Sequence, residues 1–244
     1  MKILLTNDDG IDSPAIAALS GALQGQEVWI CAPDRERSAA SSSITLQSPV
    51  RFEERSPRVY ACSGTPADCV LYALCGALPL KPDLVISGIN RGSNMGGDII
   101  YSGTAAAARQ GALMGYPSLA VSQCAYTAPF YFERSAAFVA QNLEALIRFW
   151  EPGYYLNINV PNTPEGPLEA RLTIPGQTFH TQTLHTLEVP NGDKYHYFHI
   201  QRAPLGEAGT DARTVSEGFI SVSRVFIYLN ASSQAPGETL KGLT

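Results

Sequence analysis

The chain has 244 residues, 45% of them hydrophobic and 16% charged, enough to bury a substantial core in one large domain. Its net charge is −5, from 17 basic and 22 acidic residues with no basic block. That argues against duplex nucleic-acid binding, which depends on clustered Lys and Arg, but leaves room for a small phosphorylated ligand. The N-terminal apolar run is too short for a signal peptide, and no apolar run reaches membrane-crossing length. Five cysteines (Cys31, Cys62, Cys69, Cys75, Cys124) form no CxxC pair and read as free, buried thiols of a reducing compartment, so a cytoplasmic location is expected.

Residues 2–6 read as a buried strand that runs into Asn7-Asp8-Asp9-Gly10. Ser13 with Pro14 behind it opens a helix, since Ser caps the free amides and Pro fits the first helical position. Residues 27–32 form a second strand, followed by a serine-rich loop over 37–43 and short extended segments within 44–62. Pro66 begins a helix to about residue 78, and residues 83–87 are a strand that feeds a Gly/Asn-rich loop reaching Gly103. An Ala-rich helix over 104–115, a strand over 118–122, a helix over 133–150 and a strand over 155–160 complete the alternation. Continuous apolar strands separated by helices imply a mainly parallel sheet covered on both faces, an α/β Rossmann-like three-layer sandwich. Beyond Pro161, Pro and Gly become frequent, residues 183–201 read as a β-hairpin about Pro190-Asn191-Gly192-Asp193, and a last extended segment covers 218–222.

Four polar clusters follow strands, and parallel strands deliver their carboxyl ends to one rim. They are Asn7-Asp8-Asp9-Gly10, the serine loop, the stretch from Ser87 to Asp98, and Ser102-Gly103-Thr104. The paired carboxylates Asp8 and Asp9 repel each other, which calls for a cation or a shared proton; an acidic turn is the alternative. Carboxylate, hydroxyl and amide oxygens suit Mg²⁺, Mn²⁺ or Ca²⁺ rather than zinc. His180, His185, His196 and His199 lack metal-site spacing and read as surface or hairpin residues. Ser102-Gly103-Thr104, at a helix start, suits either an anion or a plain N-cap. Gly64-Thr65-Pro66-Ala67-Asp68 reads as a structural cap, with Thr65 as N-cap and Asp68 in the first turn. Arg35, Arg37 and Arg91 flank the rim, as phosphate contacts or as solvated surface. Neither the P-loop nor the dinucleotide fingerprint is present.

In their order and spacing these segments resemble the survival protein E (SurE) family of metal-dependent nucleotide phosphatases. The resemblance rests on Ile3-Leu4-Leu5-Thr6-Asn7-Asp8-Asp9-Gly10-Ile11, Ala32-Pro33-Asp34-Arg35-Glu36-Arg37-Ser38 and Gly64-Thr65-Pro66-Ala67-Asp68-Cys69. It continues with Ser87-Gly88-Ile89-Asn90-Arg91-Gly92-Ser93-Asn94, Tyr101-Ser102-Gly103-Thr104 and Leu156-Asn157-Ile158-Asn159-Val160-Pro161. It implies one divalent ion, Mg²⁺ or Mn²⁺ with Ca²⁺ as a further occupant, held by Asp8, Asp9, Ser38 and Asn90. It also implies a substrate pocket involving Asn94, Ser102, Gly103 and Thr104. The activity it implies is hydrolysis of nucleoside 5′- and 3′-monophosphates, in some members also of short polyphosphate. The layout it implies is a catalytic core over 1–165 with a hairpin and tail over 166–244 of the same domain. In the family this extension exchanges between subunits, giving dimers or tetramers. Three departures stand out: Tyr101 where His is frequent, Ser42 where Asn or His is frequent, and a weak Arg motif at Arg171-Leu172-Thr173.

The leading mechanism has Asp8 as main ligand and Asp9 as the base that handles water, or the reverse, with amides at Gly103 and Thr104 stabilising phosphoryl charge. The rivals are an aspartyl-phosphate enzyme, disfavoured by adjacent acids where DxD is usual, and a non-enzymatic nucleotide-sensing module.

Overall fold

The computed structural model describes residues 1–166, 169–177, 181–201 and 206–228. The first strand, β1 (Lys2–Thr6), buries Ile3, Leu4 and Leu5 completely, because alternate side chains enter cores on opposite faces of one sheet. On one face Ile3 and Leu5 meet α1 (Pro14–Ala22), α4 (Phe132–Gln141) and α5 (Leu143–Phe149) through Ile16, Leu19, Val139 and Leu146. On the other, Leu4 packs with Val70 of α2 (Pro66–Tyr72) and Ala107 of α3 (Gly103–Leu113).

Among the described residues, nine strands form the main sheet. They are β1, β2 (Glu27–Pro33), β3 (Phe52–Ser56), β4 (Val59–Cys62), β5 (Leu84–Arg91), β6 (Ser118–Cys124), β7 (Tyr154–Pro161), β8 (Ala170–Thr173) and β11 (Ile220–Phe226). Their order is β3-β4-β2-β1-β5-β6-β7-β11-β8. Six of the eight neighbouring pairs are parallel; β3–β4 and β7–β11 are antiparallel. The mainly parallel, two-faced sheet is thus the one expected. From β1 the chain builds outward to β2 and β4, then returns to build β5, β6 and β7 on the opposite side. The loops after β1 and β5 therefore diverge and leave a crevice at their carboxyl ends, where open α/β sheets bind ligands.

Several elements differ from the sequence reading. The helix expected over 133–150 breaks at Asn142, whose backbone leaves helical geometry (φ −110, ψ 11) while its side-chain amide donates to the Phe138 carbonyl at 2.8 Å. The helix from Pro66 ends at Tyr72 and passes into a wider turn over Ala73–Ala77, closed by Gly76 at φ +104. That turn leaves Cys75 exposed; Cys31, Cys62 and Cys69 are buried, Cys124 is half-buried, and all five thiols are free. Strand β5 runs on to Arg91, so Asn90 stands on a strand rather than in a loop.

The second part of the chain contributes β8, α6 (Asp211–Ser216) and β11 to the same sheet assembly, and only β8 and α6 had no counterpart in the sequence reading. The hairpin is present as β9 (Thr181–Glu188) and β10 (Lys194–Gln201), paired with each other in a separate two-stranded sheet. It carries His185 and His196; His180 and the side chain of His199 lie outside the described residues, as does the tail over 229–244. Among the described residues no helix is long and apolar enough to cross a membrane.

Candidate active site

The acidic turn after β1 is closed by Asn7, whose side chain donates to the Gly10 carbonyl at 2.9 Å and accepts from the Gly10 amide at 3.1 Å. This Asx geometry points the two acids in different directions. Asp8 turns toward the start of α3: Thr104 Oγ1 donates to its Oδ1 at 2.6 Å and the Thr104 amide to its Oδ2 at 3.2 Å. Ser102 caps that helix by accepting from the Ala105 amide at 3.0 Å. The approach is close because residue 103 is glycine: a Cβ there would stand 3.0 Å from the Asp8 Cβ and 3.1 Å from Pro66. Burial pushes the Asp8 carboxyl up to about 6; the Asp9 charge adds to this, and the Thr104 hydrogen bonds oppose it. The crowding of negative charge anticipated from the sequence is therefore present.

Asp9 turns toward β5. Its carboxylate accepts from the Arg91 guanidinium at 3.1 Å and from the Arg91 amide at 3.2 Å. Burial raises its pKa and the Arg91 interactions counter the rise. Arg91 also lies 3.8 Å from Glu36, which accepts from the Ser38 hydroxyl at 2.8 Å. Arg91 thus spends its charge on carboxylates of the protein itself. Asn90 donates its side-chain amide to the Gly92 carbonyl at 3.0 Å, which leaves Oδ1 as the acceptor end of the side chain. The donor chemistry of Asp8, Asp9, Ser38 and Asn90 (two carboxylates, a hydroxyl and an amide oxygen) fits a hard divalent cation. A buried carboxylate whose pKa is raised by burial, with a smaller push from the Asp9 charge, is one whose ionised form such a cation stabilises.

The serine loop is held from three sides. At its start the Arg37 amide donates to the Asp8 carbonyl at 2.8 Å, and the Arg37 guanidinium to the Ser63 carbonyl at 2.6 Å. In the middle, the Ser41 amide and hydroxyl donate to the carbonyls of Tyr101 and Ile100 at 3.1 and 2.8 Å, and Arg109 of α3 donates to the Ser42 hydroxyl at 2.9 Å. At its end, fully buried Asp68 accepts from the Thr45 amide at 2.8 Å, the Thr45 hydroxyl at 2.6 Å and the Thr65 amide at 2.9 Å. The expected cap is there, with Thr65 and Asp68 forming a reciprocal capping box. Its role as the loop's anchor was not visible, because it depends on a contact 23 residues away.

Asn94 is placed differently from Thr104. It is 6% exposed, and its side-chain amide donates to Ser122 at 2.8 Å. Its backbone is clamped by Asn159, which accepts from the Asn94 amide at 2.9 Å, while Asn157 and Asn159 donate to its carbonyl at 2.8 and 3.0 Å. Two residues on, the Gly96 amide donates to buried Asp211 at 2.8 Å, and Asp211 also accepts from Gly176 at 3.0 Å. Asp8, Asp9, Arg91, Glu36, Ser38 and Thr104 form one connected cluster, while Asn94 is turned into the polar seam beneath it. Asp211 lies in Gly209-Thr210-Asp211, a stretch of the tail that resembles the family, but its contact with Gly96, 115 residues away, was not visible.

A family model described as "Survival protein SurE" matches residues 3–182 of this chain. The chain belongs to the SurE family. The "5′-nucleotidase SurE" of Anaeromyxobacter sp. (strain Fw109-5) is 39% identical, with 100% of this chain and 96% of that protein covered. That of Syntrophotalea carbinolica is 42% identical, covering 94% of this chain and 92% of its own length. A solved structure, the SurE protein from Aquifex aeolicus, superposes with a TM-score of 0.84 at 33% identity and covers 95% of both chains. The SurE resemblance read from the motifs is thereby established over nearly the whole chain, including β8, α6 and β11, where the motifs were thin.

Proposed function

We propose that this SurE-family chain is a phosphomonoesterase that releases inorganic phosphate from nucleoside monophosphates with the help of one divalent cation. The supporting observation is the pair Asp8 and Asp9 at the β1/β5 crevice, with Asp8 buried against the start of α3. Relatives at about 40% identity named 5′-nucleotidase SurE point the same way. Asp8, Asp9, Ser38 and Asn90 would hold the ion, Mg²⁺ or Mn²⁺ by donor type. When bound, the ion neutralises phosphate oxygens and acidifies water.

The chain's own part is to orient and to exclude. Thr104 fixes the rotamer of Asp8, and Arg91 fixes that of Asp9. The positive end of α3 faces the site and favours the anionic phosphoryl group. The carboxylate of the pair less committed to the ion takes the proton of the attacking water. Ser102 and Gly103 line the phosphate's approach to the helix start. A cytoplasmic enzyme that assembles as a dimer or tetramer through 166–244 completes the reading.

The test is release of inorganic phosphate from a panel of nucleoside 5′- and 3′-monophosphates, with Mg²⁺, Mn²⁺ or a chelator. Turnover that needs the metal and is lost in Asp8→Asn supports the reading. Tight nucleotide binding without phosphate release under every metal would make the chain a sensor instead, and a trapped phospho-enzyme would point to the aspartyl-phosphate route.

A further inference from the structure

We propose that the cavity of ≈220 Å³ beside Asp9, walled by Ile11, Asp12, Asp34, Arg35 and Arg91, is a leaving-group subsite that takes the ribose of the nucleotide. The proposal rests on the nucleotidase reading and extends it from the phosphate to the alcohol side of the ester. The walls come from the loops after β1 and β2 and from the last residue of β5, so the cavity lies at the crevice where the strand order reverses. It shares Asp9 and Arg91 with the acidic cluster. A phosphoester whose phosphorus sits at Asp8 and Asp9 therefore has this space next to it for its leaving group.

The cavity is preformed. The Ile11 amide donates to the Pro33 carbonyl at 2.8 Å and the Asp34 amide to the Cys62 carbonyl at 2.7 Å, which fixes the β1 and β2 loops to each other and to β4. Gly10 permits the close approach: it sits at φ +99, and a Cβ there would stand 3.1 Å from the Arg35 carbonyl carbon.

Size and wall chemistry select the occupant. Pockets for drug-sized ligands run to roughly 300–1,000 Å³, so this smaller cavity suits one ring rather than a whole nucleoside. Its acids, Asp9, Asp12 and Asp34, outnumber its guanidiniums, and Arg91 is already committed to Asp9 and Glu36. A second phosphate is therefore disfavoured, and a ring that offers hydroxyl donors is favoured. One carboxylate oxygen of Asp34 is buried without a hydrogen-bond partner among the described residues, an acceptor that a sugar diol can satisfy. Arg35 makes no ion pair among the described residues and is exposed, leaving its planar guanidinium for the base to stack on.

The test is steady-state kinetics of the metal-loaded enzyme on a ribonucleoside 5′-monophosphate, its 2′-deoxy counterpart and p-nitrophenyl phosphate. Wild type, Asp34→Ala and Arg35→Ala are compared. Wild type should prefer the ribonucleotide to the deoxynucleotide. Asp34→Ala should raise KM for the ribonucleotide about tenfold or more, erase the ribose preference, and leave kcat/KM on p-nitrophenyl phosphate within about twofold. Arg35→Ala should raise KM for both nucleotides and spare p-nitrophenyl phosphate. Equal losses on all three substrates, or an unchanged nucleotide KM, would overturn the subsite. A rise in KM confined to tripolyphosphate would overturn it in favour of a second phosphate. If Asp34→Ala does not fold, the exposed Arg35→Ala decides by the same split. Absence of phosphate release from any substrate in wild type is a different result: it removes the nucleotidase reading, and this subsite with it.

Discussion

Asp8 illustrates how a single residue couples the site to stability. Its carboxyl is pushed up to about 6, chiefly by burial, from an ordinary value of 3.8. The metal-free folded state therefore holds that proton more tightly than the unfolded chain does. Its contribution to stability is complete below pH ~4 and is lost as pH rises through about 6, when a buried charge must be carried. Metal-free Asp8→Asn should consequently be more stable than wild type at pH 8, by on the order of 2–3 kcal/mol, with the advantage vanishing near pH 4. Thermal unfolding of both proteins in chelator across that range checks it, and a stability gap independent of pH would refute the burial argument. Adding Mg²⁺ or Mn²⁺ should stabilise wild type and not the variant.

A Cβ at Gly103 would press on Asp8 and Pro66 at 3.0–3.1 Å, so Gly103→Ala must displace the acid by a few tenths of an ångström. Because catalytic geometry is that sensitive, turnover should fall about tenfold or more while the unfolding temperature changes little. Equal turnover would show that Asp8 has freedom the packing denies it. The acids themselves were legible in the sequence, since strand, turn and carboxylates are contiguous. Ser38 and Asn90 were legible only through the family pattern, and the Arg91–Asp9 ion pair was not, because residues 82 apart meet only in the fold.

At the scale of elements, the serine loop depends on an anchor that does not belong to it. Ala39 and Ser41 sit at φ +59 and +53, a conformation that side chains other than glycine adopt at a cost, so the surroundings must hold it. Asp68 fixes the loop's far end by accepting two hydrogen bonds from Thr45, and caps α2 with a third from the Thr65 amide. Asp68→Ala leaves these donors without a partner, at about 3 kcal/mol, and should lower the unfolding temperature by about 6–12 °C. It should also raise the metal concentration needed for half-maximal phosphate release, because Ser38 rides on the released loop. Stability lost with an unchanged metal requirement would confine Asp68 to capping α2. The starts of α1, α2 and α3 were legible because each begins with a Ser or Thr cap, whereas the end of α2 was not. Periodicity ran α4 and α5 together because Asn142 breaks the helix through its own side chain, and no Gly or Pro marks the spot.

Across the whole molecule, the alternation of apolar strands and helices was enough to give the parallel sheet, since both its faces are buried. The placement of β11 between β7 and β8 was not readable, because an extended segment carries no record of which edge it will join. β9 and β10 pair only with each other among the described strands, and a two-stranded ribbon is marginal in water by itself. Its register places Leu187 opposite Tyr195, and His185, stacked at 5.4 Å, opposite Tyr197 on the same face. Leu187, Tyr195 and Tyr197 are each 57–58% exposed there, and Leu184 and Phe198 are exposed on the opposite face. Apolar rows of this kind are stabilised by burial against a partner, and a second copy is the one the family resemblance implies. Wild type should therefore sediment as a dimer or larger at micromolar concentration, with an unfolding temperature that rises with protein concentration. Leu187→Glu combined with Tyr195→Glu places like charges directly opposite each other on that face, and should shift the protein to monomer. The substitutions lie outside the sheet that holds Asp8 and Asp9, so the monomer should keep metal-dependent turnover of p-nitrophenyl phosphate. A wild type that is monomeric at every concentration, or a doubly substituted protein that stays assembled, would remove the hairpin from the assembly.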